Sequence, residues 1–401
     1  MFVQIGKRLK NARLARGLSL DQLAEALTEQ EQPITKAALS KYERDQSMPS
    51  ATLLRALTRL LNVESSYFWQ EALPEVSWCD FRKTTKLGKK DQEKLKASAT
   101  SIAEDFLWLE EALLITPVSF PDRVKAVTVA EAEKASRKLR ENLKLGIAPI
   151  ESLVRLLESS GAVVITGHLA EDAPFDGLAG WAGASRPVIY INSNRSTDRT
   201  RYNLAHEFGH LYLDCDDLPE KERENIAHRF AAALIVPREA VEHELGGPRR
   251  NLSLDELGLL KRKYGLSVQA WIRRAYDLEL INNHLYRNLY VELSTRGWRK
   301  QEPRKFDYHG NEEPLLSLKQ YTLRALNEGI IDAERANRIC PDLLEGRTSM
   351  KNTHSAQELL QLSSEERDLI LEAAANLAYQ DYATDPELTG FEAFETADAN
   401  I

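Results

Sequence analysis

"RYNLAHEFGHLYLD", residues 201–214, places His206 and His210 four positions apart, with Glu207 directly after the first. On a helix, residues with that spacing lie one turn above each other on one face, so both imidazoles can point at one ion. Leu204, Ala205, Phe208, Leu211 and Leu213 are apolar, which predicts a mostly buried helix. Two buried imidazoles and a carboxylate without partners are costly. A metal ion removes that cost. Glu207 does not fully share the ligand face; it stands where a general base takes a proton from water that a metal has made acidic.

A catalytic zinc takes three protein ligands and keeps one position open. The best third candidate is Glu224 in "PEKERENIAHRFAAALIVP", residues 219–237. Pro219 suits the first turn of a helix there, and Pro237 follows its end. Glu224, Ala227 and Ala231 fall on one face, and the two alanines allow a close approach to the helix of His206. Glu222 points elsewhere and is the weaker candidate. His228, one turn from Glu224, is either a group behind the ligands or a substitute ligand. Tyr202 and His228 are the candidates for stabilising an oxyanion. Asp214, Asp216 and Asp217 read as caps or solvated turn residues.

Upstream, "PIESLVRLLESSGAVVIT" (149–166) predicts a helix, a turn at Gly161 and a strand, and "DGLAGWAGASRPVIYIN" (176–192) predicts a hairpin. The fold class is therefore α+β, mostly α. Residues 146–305 form a small zincin-like domain with a short mixed sheet ahead of the HExxH helix. Residues 71–145 are polar and helical, a linker and scaffold that includes the basic connector "DFRKTTKLGKKDQEKLK" (80–96).

"RTRYNLAHEFGHLYLD" followed by "ERENIAHRFAAALIVP" resembles the ImmA/IrrE family of metallopeptidases. The resemblance extends through "GLSVQAWIRRAYDLELI" and "STRGWRKQEP", covering roughly residues 75–305. It departs from the family pattern at Tyr202 (Phe), Asn203 (Thr) and His228 (Asn). It implies Zn2+ held by His206, His210 and Glu224, with Glu207 as the base. It further implies proteolysis of XRE-type repressors and frequent fusion to an XRE-type domain.

Residues 1–70 fit such a fusion. "IGKRLKNARLARG" puts Ile5, Leu9, Ala12 and Leu14 near one helix face, ended by Gly17. "SLDQLAEAL" opens on a capping box, Ser19 with Gln22, and turns Leu20, Leu23, Ala24 and Leu27 inward. "ITKAALSKYERDQSMPS" gives a third helix with Thr35 as its cap and Leu39 and Tyr42 buried, and "ATLLRALTRLLNV" a fourth. This four- or five-helix bundle resembles the XRE family of helix-turn-helix DNA-binding domains, although Leu20 stands where the family places Gln and the turn "TEQEQPI" is long. The resemblance implies a third helix in the major groove of a double-stranded operator, bound as a homodimer. The residues aimed at DNA are Lys36, Ala37, Ser40 and Lys41, with Thr35 and Arg44 toward the phosphates.

Of 401 residues, 43% are hydrophobic and 28% charged, an ordinary globular composition. Three widely spaced cysteines give neither a disulfide framework nor a CxxC metal site. With no apolar run near the roughly 18 residues of a membrane span and no signal-peptide core, the expectation is a bacterial, cytoplasmic, nucleoid-associated protein without a membrane partner. The net charge of −8 is unevenly spread: residues 354–401 carry eleven acids and one base, Arg367, while residues 1–70 carry ten bases and seven acids. Residues 306–353 read as a small helical region. Residues 354–401, acidic with spaced aromatics, read as a partner-binding tail. That tail resembles those of antitoxins, which implies an alternative role: repression of a toxin–antitoxin operon and neutralisation of a PIN-like ribonuclease toxin.

Overall fold

The structure, a computed structural model, describes residues 5–63, 65–69, 74–79, 87–167, 175–310 and 316–343, with single residues at 363, 367, 368 and 371. Residues 1–340 form one compact unit and residues 341–401 a second. The expected partner-binding tail, 354–401, lies outside the described residues but for those four positions. No helix among the described residues is long and apolar enough to cross a membrane.

The first four helices are α1 (Ile5–Ala15), α2 (Leu20–Glu29), α3 (Lys36–Glu43) and α4 (Ala51–Leu61). They close around Ile5, Leu9, Leu23, Leu27, Leu39 and Leu57, with Phe68 added from a short 3-10 turn. Ser19 and Gln22 form the expected capping box, and Thr35 and Ser50 cap the next two helices. Gly17 takes a left-handed φ of 69° after α1, where a Cβ would be strained. Leu14, expected to face inward, is only half-buried; Arg13 is buried in its place. The Arg13 guanidinium donates from Nε and Nη2 to both carboxylate oxygens of Glu43, at 2.6 and 2.9 Å, tying α1 to α3. That fork satisfies a charge which the aliphatic pattern alone would place outside.

The segment read as linker contributes to the sheet. β1 (Val76–Trp78) pairs antiparallel with β4 (Gly177–Ala182), and α5 (Lys89–Ala112) packs on β1 and on β3 (Val163–Gly167). Trp78 Nε1 donates to Thr100 Oγ1 on α5 at 2.8 Å. The four-stranded sheet runs β1-β4-β5-β3, with β5 spanning Arg186–Asn192; β4 and β5 are antiparallel and β3 and β5 parallel, so the sheet is mixed as expected. A three-residue edge strand is too short to show a two-residue period, which is why it read as linker. Val164, Ala179, Ile189 and Ile191 join the core that includes the HExxH helix, and the alternate residues Val163, Ile165, Val188 and Tyr190 are also buried. Both faces of the sheet are therefore covered.

β2 (Val124–Lys125) pairs in parallel with β6 (Leu213–Asp214), directly after α8 (Thr197–Tyr212). α6 (Val129–Asn142) and α8 both pack on α9 (Glu220–Ile235), while α7 (Leu153–Ser159) precedes β3. α10 (Arg238–Leu245), α11 (Leu254–Tyr264), α12 (Val268–Asp277) and α13 (Asn283–Thr295) follow, and Val241, Leu257, Trp271 and Leu289 extend the same core. α14 (Leu316–Asn327) and α15 (Ala333–Ile339) are the two small helices expected in 306–353. The open carbonyls after α9 are met by buried arginines: Arg140 Nη1 donates to Leu234 O at 2.6 Å and Arg274 Nε to Val236 O at 3.1 Å. Arg274 also forks onto Glu133 of α6. These contacts pin the helix that carries Glu224.

Candidate metal centre

α8 and α9 lie side by side, and a glycine and an alanine set their spacing. A Cβ built on Gly209 would stand 3.6 Å from Ala227 Cα and 3.0 Å from Phe230 Cδ1. Ala227 and Ala231 are fully buried, as the spacing predicts. Gly209 belongs to the HEFGH stretch itself, and reading only its ionisable residues misses this packing role.

The close approach brings three donor groups together. His206 Nε2 and His210 Nε2 are 3.0 Å apart; His210 Nε2 lies 3.2 Å from Glu224 Oε1, and His206 Nε2 lies 3.5 Å from Glu224 Oε2. Ligand atoms held about 2.0–2.1 Å from a tetrahedral ion stand about 3.3 Å from one another. The three separations, two of them to different oxygens of Glu224, lie near that value, so the donor groups can surround a zinc-sized ion. His206 is 2% exposed, whereas the His210 and Glu224 side chains are 21% and 22% exposed, so the cluster is buried on one side and open on the other.

A second grouping, His206, Glu224 and His228, has donor atoms within 4.8 Å of one another. Its His228 Nε2 to Glu224 Oε2 distance is 4.0 Å, beyond the edge of such a tetrahedron. His228 therefore sits beside the cluster, its ring 4.3 Å from that of His206, and its Nδ1 is 3.1 Å from the Tyr202 hydroxyl. Burial pushes the Glu224 carboxyl up, but hydrogen bonds from His206 and His210 outweigh it and hold the group well below the usual carboxylate range. Glu224 thus stays anionic among the imidazoles.

Glu207 is buried on α8 against the end of β4. A Cβ on Gly177 would meet Glu207 Cγ at 3.0 Å and Ile191 Cδ1 at 2.8 Å, so the glycine makes the room that the carboxylate occupies. Glu222 is exposed. Asp216 is not merely solvated: Arg123 donates to it at 2.7 Å and to Leu213 O at 2.7 Å, fixing the chain just after α8, and this ion pair lowers the Asp216 carboxyl.

Two family models match the chain. Residues 159–276 match the IrrE N-terminal-like domain, Peptidase_M78, and residues 9–68 match the helix-turn-helix model. This chain joins a helix-turn-helix domain to an IrrE-like peptidase domain. No match is found among curated proteins. The IrrE-like match spans α8 and α9 and ends within α12, so it contains every member of the donor cluster. The two matches support a DNA-binding regulator that carries a peptidase-like domain.

The helix-turn-helix domain leaves its third helix uncovered. Thr35, Lys36, Ala37, Lys41 and Arg44 are exposed and Ser40 is half-exposed. Thr35 Oγ1 accepts from Ala38 N at 3.2 Å as the helix cap. Lys36 reaches Asp21 at 2.6 Å, and Arg44 folds back to donate to Ser40 Oγ at 3.1 Å.

Proposed function

We propose that the chain is an operator-binding regulator whose IrrE-like domain is a zinc endopeptidase that cleaves a repressor-type protein. The observation that carries the reading is the convergence of His206, His210 and Glu224 at separations a tetrahedral ion requires. Zinc, when bound there, supplies Lewis acidity that polarises a peptide carbonyl and makes water acidic near neutral pH. Glu207 accepts the proton of the attacking water on its carboxylate and passes it to the departing amine. The Tyr202–His228 pair, on the same side as His206, donates a hydrogen bond to the developing oxyanion. Residues 1–70 bind DNA through Thr35, Lys36, Ala37, Ser40, Lys41 and Arg44, as a homodimer on the operator, and residues 146–305 carry the chemistry. Purified chain with zinc, incubated with its cognate XRE-type repressor, yields a discrete fragment that Glu207→Gln does not produce. Equal cleavage by that variant removes Glu207 from the mechanism.

The charge of residues 354–401 supports a second role, as an antitoxin tail that covers a basic PIN-like toxin. Deletion of residues 355–401 then abolishes co-purification of a toxin and leaves operator binding intact; a full chain that captures no neighbouring gene product ends this reading.

A further inference from the structure

A cavity of about 890 Å³ opens beside the donor cluster. That volume lies in the about 300–1,000 Å³ range of binding sites for organic ligands. Tyr202 and His228 form its near wall, and α12, α13 and residues 298–307 form the far one. The cavity therefore adjoins the donor cluster: the His228 ring lies 4.3 Å and the Tyr202 ring 6.5 Å from that of His206.

Its charges divide into two sets. Toward the floor, Lys261 is buried and holds Glu302 at 2.9 Å, Asp198 at 3.5 Å and Asp307 at 3.7 Å. Burial pushes the Lys261 amine down, but Asp198 and Glu302 outweigh it. Arg229 and Arg273 are likewise matched by Asp277, at 3.0 and 2.9 Å. These groups are neutralised and structural. At the rim, Arg299, Lys300 and Arg304 are exposed and make no ion pair with a described residue. Arg299 lies over the Tyr290 ring at 5.9 Å, and Trp298 is buried beneath the same segment. The rim thus offers three uncommitted cations over an aromatic wall.

Spare guanidinium and ammonium groups recognise carboxylates or phosphates. Two features favour carboxylates carried on a polypeptide. Arg299, Lys300 and Arg304 are spread along one rim segment, an arrangement suited to spaced single charges rather than to one dense polyphosphate. The aromatic wall and the adjoining donor cluster suit an extended peptide whose neighbouring bond reaches the metal.

We propose that this cavity is a specificity subsite for acidic side chains flanking the bond to be cleaved, read by Arg299, Lys300 and Arg304. The inference rests on the peptidase reading, and its test uses binding alone. In the full-length, zinc-supplemented Glu207→Gln protein, a fluorescent Asp/Glu-rich peptide is titrated and compared with its Asn/Gln counterpart. The acidic peptide binds more tightly. Reversing the rim charges, Arg299→Glu with Lys300→Glu and Arg304→Glu, weakens it about tenfold or more, while the amide peptide is unaffected. Because the three side chains are exposed and make no ion pair with a described residue, the variant melts with the parent; Lys300→Gln alone gives a smaller loss in the same direction. The proposal is overturned if both peptides bind equally, if charge reversal leaves the acidic peptide unchanged, or if ATP displaces it at lower concentration than free glutamate-rich peptide does, which assigns the cavity to a phosphate-bearing ligand. Absence of cleavage by the Glu207-containing protein with binding intact would instead count against the peptidase reading alone.

Discussion

At the scale of single residues, the donor cluster rests on His206, His210 and Glu224, with His228 beside it at 4.0 Å from Glu224. Glu224→Ala leaves two imidazoles, fewer than the three ligands a zinc site needs, and abolishes zinc retention on dialysis. Glu207→Gln keeps the ion, since Glu207 lies outside the donor set, and lowers turnover by about 10²–10⁴-fold, the usual cost of losing a general base. Zinc content and fragment yield, measured on the same two preparations, separate the roles. The meeting of His206, His210 and Glu224 was legible in part: the helical repeat puts the two imidazoles on one face and Glu224 on the face that carries Ala227 and Ala231. Gly177 was not legible: its importance comes from Glu207, thirty positions away, occupying the space a Cβ would take.

At the scale of elements, the spacing of α8 and α9 sets whether the donors meet. Gly209→Leu forces a branched side chain toward Phe230 and Ala227, at a cost of about 1–3 kcal/mol for overpacking. Gly209→Ala gains about 1 kcal/mol of helix propensity, which offsets most of a milder clash. The leucine variant therefore melts earlier and loses zinc to a chelator sooner than the alanine variant, by thermal melts and competition titration. The packing of α1 on α5 carries a pH signature. Burial, outweighing the nearby Arg8, pushes the Glu104 carboxyl up from 4.5 to about 7. A raised folded pKa means the protonated form is favoured in the fold. The stabilising contribution is fully present below pH 4.5 and is lost as pH rises to about 7. Glu104→Gln removes that dependence and gains up to about 3 kcal/mol over the parent at pH 8, read by denaturant melts across pH. α1 to α4 and the β4–β5 hairpin were readable from caps, turns and periodicity. β1 was hidden because three residues carry no period, and Arg13 because its burial depends on Glu43, contributed by another helix.

At the scale of the whole molecule, the uncovered face of α3 and the donor cluster fall in separate family matches, 9–68 and 159–276, so the proposed DNA binding and proteolysis should fail independently. Lys41→Ala, at an exposed position without an ion pair to a described residue, weakens binding to duplex DNA from the protein's own promoter region several-fold. It also lowers the slope of log affinity against log salt by about one. Fluorescence anisotropy at several salt concentrations checks this, with zinc content unchanged. Lys36→Ala has a smaller effect, because Asp21 already holds that ammonium. The uneven charge was plain in composition, whereas the cavity beside His228 was not, since its walls come from segments more than a hundred residues apart.

The most direct test is metal analysis of the purified full chain, its Glu207→Gln variant and its Glu224→Ala variant after dialysis against trace zinc. One zinc ion per chain in the first two and none in the third is the predicted result. A parent protein that retains no zinc, or a Glu224→Ala variant that keeps it, would contradict the account.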